Sequence, residues 1–326
     1  MANLPLSLAC WNYDRTRALI DGRIKPDGID LRVEVMRPRQ AFERMLATGE
    51  FDICEMSFSS YVTMRAQSDC PLVALPVLLS KMFRHDCIYV RRDSGITKPQ
   101  DLIGKRVGTM RYTSTALVFA RGLLQHDFNV HACDLQWFIG GIDHGVDAIM
   151  PENTPDDVAV TLLSKAQTLN AMLMNGEVDA LITQDIPSSF LEGKTAIVRL
   201  FQDFKAVETE YYQRTGIFPV MHTVVIKREL HDQQPWIAQS IFDAFCKSKD
   251  IAVHGLYDTD ALHLALPFLI DHVEEARRVF GDDYFSYGLE SNRRTITALC
   301  QYVYEQNLST RLVSPDELFA KVVNPG

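Results

Sequence analysis

Long apolar runs are missing from this 326-residue chain. No stretch approaches the ~18–20 residues that a membrane-spanning helix needs, so no membrane span is expected. An excess of positive charge is missing too. The formal net charge is −9, which argues against nucleic acid or an anionic membrane surface as a partner. The seven cysteines (Cys10, Cys54, Cys70, Cys87, Cys133, Cys246 and Cys300) form no CxxC and no Cys/His pairing at zinc spacing. That pattern excludes a zinc module and a disulfide scaffold, and points to reduced thiols. GxSxG, Walker and GxGxxG loops are all absent, so hydrolase, ATPase and dinucleotide-binding readings find no support. The stretch Leu6-Ser7-Leu8-Ala9-Cys10 superficially resembles a lipoprotein cleavage box, but no Lys or Arg precedes it and its apolar run is short. It reads as a first β-strand, and the expected location is cytoplasmic.

What is present is an ordinary globular composition, 47% hydrophobic and 23% charged, on a chain long enough for two substantial cores. Residues 4–10 read as a strand, followed by a helix opening near Trp11 to Arg17 with Asn12 or Asp14 as its cap. Residues 28–35 alternate with period two and predict a second strand. Residues 38–49 carry Phe42, Met45 and Leu46 on one helical face. A third strand begins at Phe51 and runs into the hydroxyl-rich turn Ser57-Phe58-Ser59-Ser60, expected to cap the next helix. This β-α-β-α-β order predicts an α/β fold with parallel strands. A second unit of the same kind begins near Gly104, with a helix over 115–125, a strand at 137–139, a helix over 162–174 and a strand at 178–182. The apolar runs at 87–92 and 218–226 are expected to be strands that cross between the units. Helical periodicity dominates from 234 onward, and its apolar surface leaves room for a homo-oligomer.

Chemistry-bearing residues concentrate in a few places. Ser80 to Val90 is a strand, then a loop holding Arg84, His85 and Asp86, then another strand; open α/β sheets bind ligands beyond such strand ends. Tyr112, Thr113, Ser114 and Thr115 place hydroxyls beside the free N–H groups of a helix start, a seat for a carboxylate or phosphate and equally the pattern of a plain cap. His222 interrupts an apolar strand, which is also how a satisfied core histidine looks. Glu55 lies at the end of its strand and is expected to point into the same cleft. Arg15 and Arg17 stand at the mouth between the first strand and its helix.

Several stretches carry a family resemblance: Tyr13-Asp14-Arg15-Thr16, Phe83-Arg84-His85, Val107 to Gln125, and Gly216-Ile217-Phe218-Pro219-Val220-Met221-His222. Together with Phe51–Tyr61 and Phe280–Thr295 they make the chain resemble 4,5-dihydroxyphthalate decarboxylases over nearly its whole length. The resemblance implies the two-lobed fold of type II periplasmic binding proteins with a ligand cleft between the lobes. Residues 1–90 plus 225–326 are then expected in lobe one and 91–224 in lobe two. The chain departs from the usual pattern in lobe two, where Thr113-Ser114-Thr115-Ala116 replaces Gln-Met-Thr-Ala and Phe119 stands where Trp is common. These departures bear on the substrate more than on the reaction.

The implied chemistry is decarboxylation of a dihydroxylated aromatic dicarboxylate, with 4,5-dihydroxyphthalate giving protocatechuate and carbon dioxide. Such a reaction needs a cation for carboxylates and a general acid for the ring carbon. Arg84 offers a bidentate fork. His85 and His222 are the candidate acids, since the free histidine pKa of about 6.5 suits that role. Glu55 is expected to accept a phenolic proton or orient a histidine. Arg15, Ser57 and the hydroxyls of Tyr112, Thr113, Ser114 and Thr115 are candidate substrate contacts. Glu55, His85 and His222 together would also suit a divalent metal, but they are far apart in sequence and no cofactor or metal is expected to be required. Two alternatives stay open: a non-catalytic solute-binding protein for a small aromatic anion, and a decarboxylase of another hydroxylated benzoate or an isophthalate.

Overall fold

A computed structural model describes residues 3–151, 154–193 and 196–323. The strands are β1 (Leu4–Cys10), β2 (Ile29–Val35), β3 (Ile53–Ser57), β4 (Leu72–Lys81), β5 (Ile88–Arg91), β6 (Arg106–Thr109), β7 (Gln136–Ile139), β8 (Ala159–Leu162), β9 (Ala180–Ile182), β10 (Ile197–Arg199) and β11 (Val220–Lys227). The helices are α1 (Asp14–Ile20), α2 (Pro38–Thr48), α3 (Phe58–Arg65), α4 (Thr115–Phe128), α5 (Leu169–Asn175), α6 (Ser188–Leu191), α7 (Phe204–Thr215), α8 (Arg228–Gln233), α9 (Trp236–Gly255), α10 (Leu269–Phe280) and α11 (Arg293–Glu305).

Two mixed sheets organise these elements. The first runs β2-β1-β3-β11-β4 and the second β10-β5-β9-β6-β7-β8. In the first sheet β1 is parallel to β2 and β3, whereas β11 is antiparallel to both β3 and β4. Strand β11 can sit between two neighbours because every side chain from Val220 to Ile226 except that of His222 is buried. Strand β4 is apolar along its length and occupies an edge, which accommodates Pro76 without a lost ladder bond. That edge is covered by the chain's end: Ala74 N–H donates to Leu318 O and Ala320 N–H to Ala74 O, while Gly288 N–H donates to Pro76 O. Helix α9 buries Ile237, Ile241, Phe242 and Phe245, each worth roughly 1.5–3 kcal/mol of burial.

Among the described residues no strand is shared by the two sheets. Ile88–Arg91 pairs only in the second and Val220–Lys227 only in the first, so the chain passes between lobes through 82–87 on the way out and 200–219 on the return. The runs at 87–92 and 218–226 are therefore not crossing strands. The helix expected over 162–174 begins only at Leu169, with the Thr168 hydroxyl accepting from Ala171 N–H. Strand β8 ends at Leu162 ahead of it, and none of its four positions is buried, so no alternation of buried and exposed residues announced it.

Helix α4 of the second lobe packs against α11 of the first at Gly122, where any Cβ would lie 2.3 Å from the Tyr302 ring. The start of α4 faces the start of α3. There Ser59 N–H donates to Thr115 Oγ1 (3.0 Å), Ser59 Oγ donates to Thr113 O (3.0 Å), and Ser57 Oγ lies 3.1 Å from Thr115 Oγ1. Ser57 and Ser59 are thus drawn into the joint between the lobes, and Ser57 makes no side-chain cap bond. A cleft of about 450 Å³ opens beside this joint, within the usual range for a small-molecule site.

Candidate active site

The site is built around Glu55. Strand β3 carries this residue with no solvent exposure, a position that an ionised carboxylate can hold only with several donors. Three converge on it. Trp11 N–H donates to Oε2 (3.0 Å), the Tyr13 hydroxyl donates to Oε1 (2.6 Å), and His222 Nδ1 lies 2.7 Å from Oε1. Burial alone would raise the Glu55 carboxyl; the His222, Tyr13 and Trp11 bonds outweigh it and hold it below the usual carboxylate range. The ionised carboxylate therefore takes the Nδ1 proton as a hydrogen bond, and the tautomer is fixed with Nε2 as the remaining ring nitrogen. His222 is on β11 opposite Ser57 of β3, lies edge-on to the Phe42 ring at 5.0 Å, and lines the cleft.

Local sequence holds Tyr13 in place. Buried Thr16 accepts from Tyr13 N–H (2.9 Å) and donates to Trp11 O (2.8 Å), which closes the turn between β1 and α1. Neither Asn12 nor Asp14 caps the helix as expected; Tyr13 occupies the cap position.

The cations divide sharply. Arg84 is 8% exposed, lines the cleft, and leaves Nε without a partner. Burial pushes its guanidinium below the usual arginine value. A buried fork with open donors is a ready carboxylate site. Arg15 does not reach the cleft. Its Nε donates to Leu79 O (2.6 Å), its terminal nitrogens bind Leu79 O and Asp14, and its plane stacks on Tyr13 and Phe285. Arg15 is thus a strut between α1 and β4 rather than a substrate contact.

Nor does His85 reach the cleft. It is 2% exposed and packs against Phe201 and Tyr211, with ring centroids at 5.4 and 5.2 Å. Its Nδ1 lies 3.8 Å from Glu208 Oε1, but the two do not form an ion pair at neutral pH. Burial and the Arg214 charge lower His85 to about 4, while burial and nearby Asp86 raise Glu208 to about 8. Both groups stay neutral because neither can be solvated where it lies. The sign for stability follows. Glu208 has a folded pKa above its ordinary 4.5, so the fold loses stability as pH rises from about 4.5 through about 8. Glu208→Gln is expected to raise Tm at pH 8.5 and to change it little at pH 5. Thermal melts at both pH values check this, and an equal increment at each would show that the carboxyl does not titrate there.

Ser57, Thr113, Ser114 and Thr115 all line the cleft. Thr115 is occupied by the interlobe joint, and Ser114 Oγ donates to Gln184 Oε1 at 3.3 Å. Tyr112 is the exception. It is buried in the second lobe, edge-on to Trp137 and covered by the Arg121 guanidinium at 3.7 Å, so its hydroxyl is not a substrate contact. Glu55 and His222 meet but His85 does not join them, so the three-ligand metal set is not assembled. Among the described residues the one group of ligand atoms spaced for a metal is Asp271, His272 and Glu275, on α10 and away from this cleft.

Sequence reasoning missed Tyr13, Arg111 and Phe42. Tyr13 sat within a motif singled out for its neighbour Arg15. Arg111 directly precedes the hydroxyl run at 112–115, and that adjacency was the available signal.

Comparison with known proteins places this geometry. A family described as an ABC transporter, phosphonate, periplasmic substrate-binding protein matches residues 13–155. The crystal structure of the periplasmic aliphatic sulphonate binding protein SsuA from Escherichia coli superposes with a TM-score of 0.53 at 14% identity, covering 98% of both chains. That likeness shows the two-lobed binding-protein fold. A 4,5-dihydroxyphthalate decarboxylase from Pseudomonas putida is 37% identical over 65% of this chain and 83% of its own. A second, from Comamonas testosteroni, is 38% identical over 321 residues, 98% of this chain and 97% of its own. Matched end to end at that identity, the chain belongs to the 4,5-dihydroxyphthalate decarboxylase family.

Proposed function

We propose that this protein is a carboxy-lyase that converts 4,5-dihydroxyphthalate to protocatechuate and carbon dioxide in the cleft between its lobes. The observation that carries the mechanism is the Glu55–His222 pair beside the unpaired Arg84 in a single cleft. Arg84 takes a substrate carboxylate and orients the ring. With its Nδ1–H committed to Glu55, the imidazolium form of His222 delivers the Nε2 proton to the ring carbon bearing the leaving carboxylate. The para hydroxyl supplies electron density and gives its own proton to water in the cleft, leaving a dienone. The carbon–carbon bond then breaks, its electron pair restores the aromatic ring as a phenolate, and carbon dioxide leaves; the phenolate takes its proton back from water and His222 is reprotonated from solvent. The balance is one proton taken up and one carboxylate lost. Ser57, Thr113 and Ser114 offer hydroxyls to the remaining substrate oxygens. Lobe one is taken as the elements of the first sheet and lobe two as those of the second. The seven free cysteines suit a reducing, cytoplasmic setting.

The test is carbon dioxide release from 4,5-dihydroxyphthalate by chelator-treated protein, with 4-hydroxybenzoate and a hydroxyisophthalate alongside. Turnover near the common enzyme range of about 1–10³ s⁻¹, faster for the phthalate, is the expected result. A ligand that raises Tm with no release of carbon dioxide, with or without added divalent metal, would establish a binding protein instead.

A further inference from the structure

Three arginines line the cleft: Arg39, Arg84 and Arg111. Arg39 is at the exposed rim and already pairs with Glu43, its Nε 2.5 Å from Oε1. Arg84 has an open, buried Nε. Arg111 lies on the turn between β6 and α4, half-buried; its carbonyl accepts from Ser114 N–H, but among the described residues its guanidinium has no hydrogen-bond or ion-pair partner. Burial and the neighbouring Arg39 charge disfavour its charged form and outweigh the opposite pull of Asp185 and Glu43, neither of which forms an ion pair with it. A partly desolvated guanidinium whose donors lack acceptors is costly to hold there, and a carboxylate arriving in the cleft would offset that cost. Such a concentration of unpaired cations is not a general property of this surface, since the chain is acidic overall, with a formal charge of −9. The two open forks also come from different places, Arg84 from the crossover that leaves lobe one and Arg111 from lobe two.

We infer that Arg111 is a specificity-determining residue that binds the second carboxylate of the substrate, so that Arg84 and Arg111 together select an aromatic ortho-dicarboxylate over the matching monocarboxylate. This rests on the decarboxylase reading above for its substrate class. One carboxylate persists through the reaction, and a grip on it is the same in ground and transition states; it therefore lowers KM and leaves kcat nearly unchanged.

Titration calorimetry with unreactive phthalate and benzoate tests the inference on wild type, Arg111→Gln and Arg111→Lys. The expected result is a roughly 10–100-fold weaker phthalate Kd for Arg111→Gln, a benzoate Kd within about threefold of wild type, and partial recovery of phthalate binding in Arg111→Lys. In turnover of 4,5-dihydroxyphthalate the same factor should appear in KM. An unchanged phthalate Kd, or equal losses for both anions, would overturn the assignment. Wild-type protein that prefers phthalate in this way but releases no carbon dioxide would sink the decarboxylase reading and leave the role of Arg111 intact.

Discussion

His222→Gln is expected to lower kcat for 4,5-dihydroxyphthalate about 10²–10⁴-fold, with the Kd for phthalate within about threefold of wild type. Glutamine keeps a donor and acceptor near the cleft and can still meet Glu55, so folding should survive. What it cannot do is carry a proton to carbon. His222 is 21% exposed at the cleft wall and is held at Nδ1 by a carboxylate that has no contact with solvent, so the ring is oriented and not free to turn away. Carbon dioxide release and calorimetry on the same sample check the two halves of the statement. A variant that keeps near wild-type kcat would remove His222 as the acid. One that loses phthalate binding in proportion to turnover would make it a binding residue.

Glu55→Gln should cost about 10²-fold or more in kcat, because an amide no longer dictates which ring nitrogen of His222 carries the proton. Glu55→Ala adds a stability loss of about 3 kcal/mol, since the Trp11 N–H, Tyr13 hydroxyl and His222 Nδ1 all lose their acceptor and each unpaired buried donor costs about 1–3 kcal/mol. The pH dependence has a definite sign. The folded Glu55 carboxyl lies below its ordinary 4.5, so its contribution is complete above that pH and is lost as pH falls through the lower, folded value. Wild type should therefore lose stability on acidification below about 4.5 more steeply than Glu55→Gln does. Denaturant melts from pH 3 to 7 measure the difference; parallel curves would mean that the carboxylate is not held ionised by these donors.

The elements that were legible in the chain are those whose cause is local. The apolar run of β11, the alternation of β2 and the spacing of Phe42 and Met45 in α2 each declare a period. Glu55 and His222 were legible as well, because a polar group inside an apolar strand stands out. The failures share a different cause. Arg84 and His85 are adjacent in a loop with no period, and nothing in sequence says that one side chain enters the cleft while the other packs under α7. Arg15 is consumed by a backbone carbonyl 64 positions away, and Tyr13 is tied to the site by a carboxylate 42 positions away. Tyr112 looks like a hydroxyl at a helix start until Trp137 and Arg121 enclose it. Partners of this kind are set by the sheet order, which places β3 between β1 and β11.

That sheet order also divides labour. Trp11, Tyr13, Glu55 and His222, the residues of the proposed proton relay, come from the first sheet and the turn that leaves it. Thr113, Ser114 and Arg111 come from the second lobe. A rigid-body movement of one lobe against the other would change what the cleft captures without disturbing the contacts among Tyr13, Glu55 and His222. Mutational drift can follow the same seam: replacements in the second lobe at Arg111, Thr113 and Ser114 would retune what is captured while leaving the Tyr13–Glu55–His222 contacts of the first untouched.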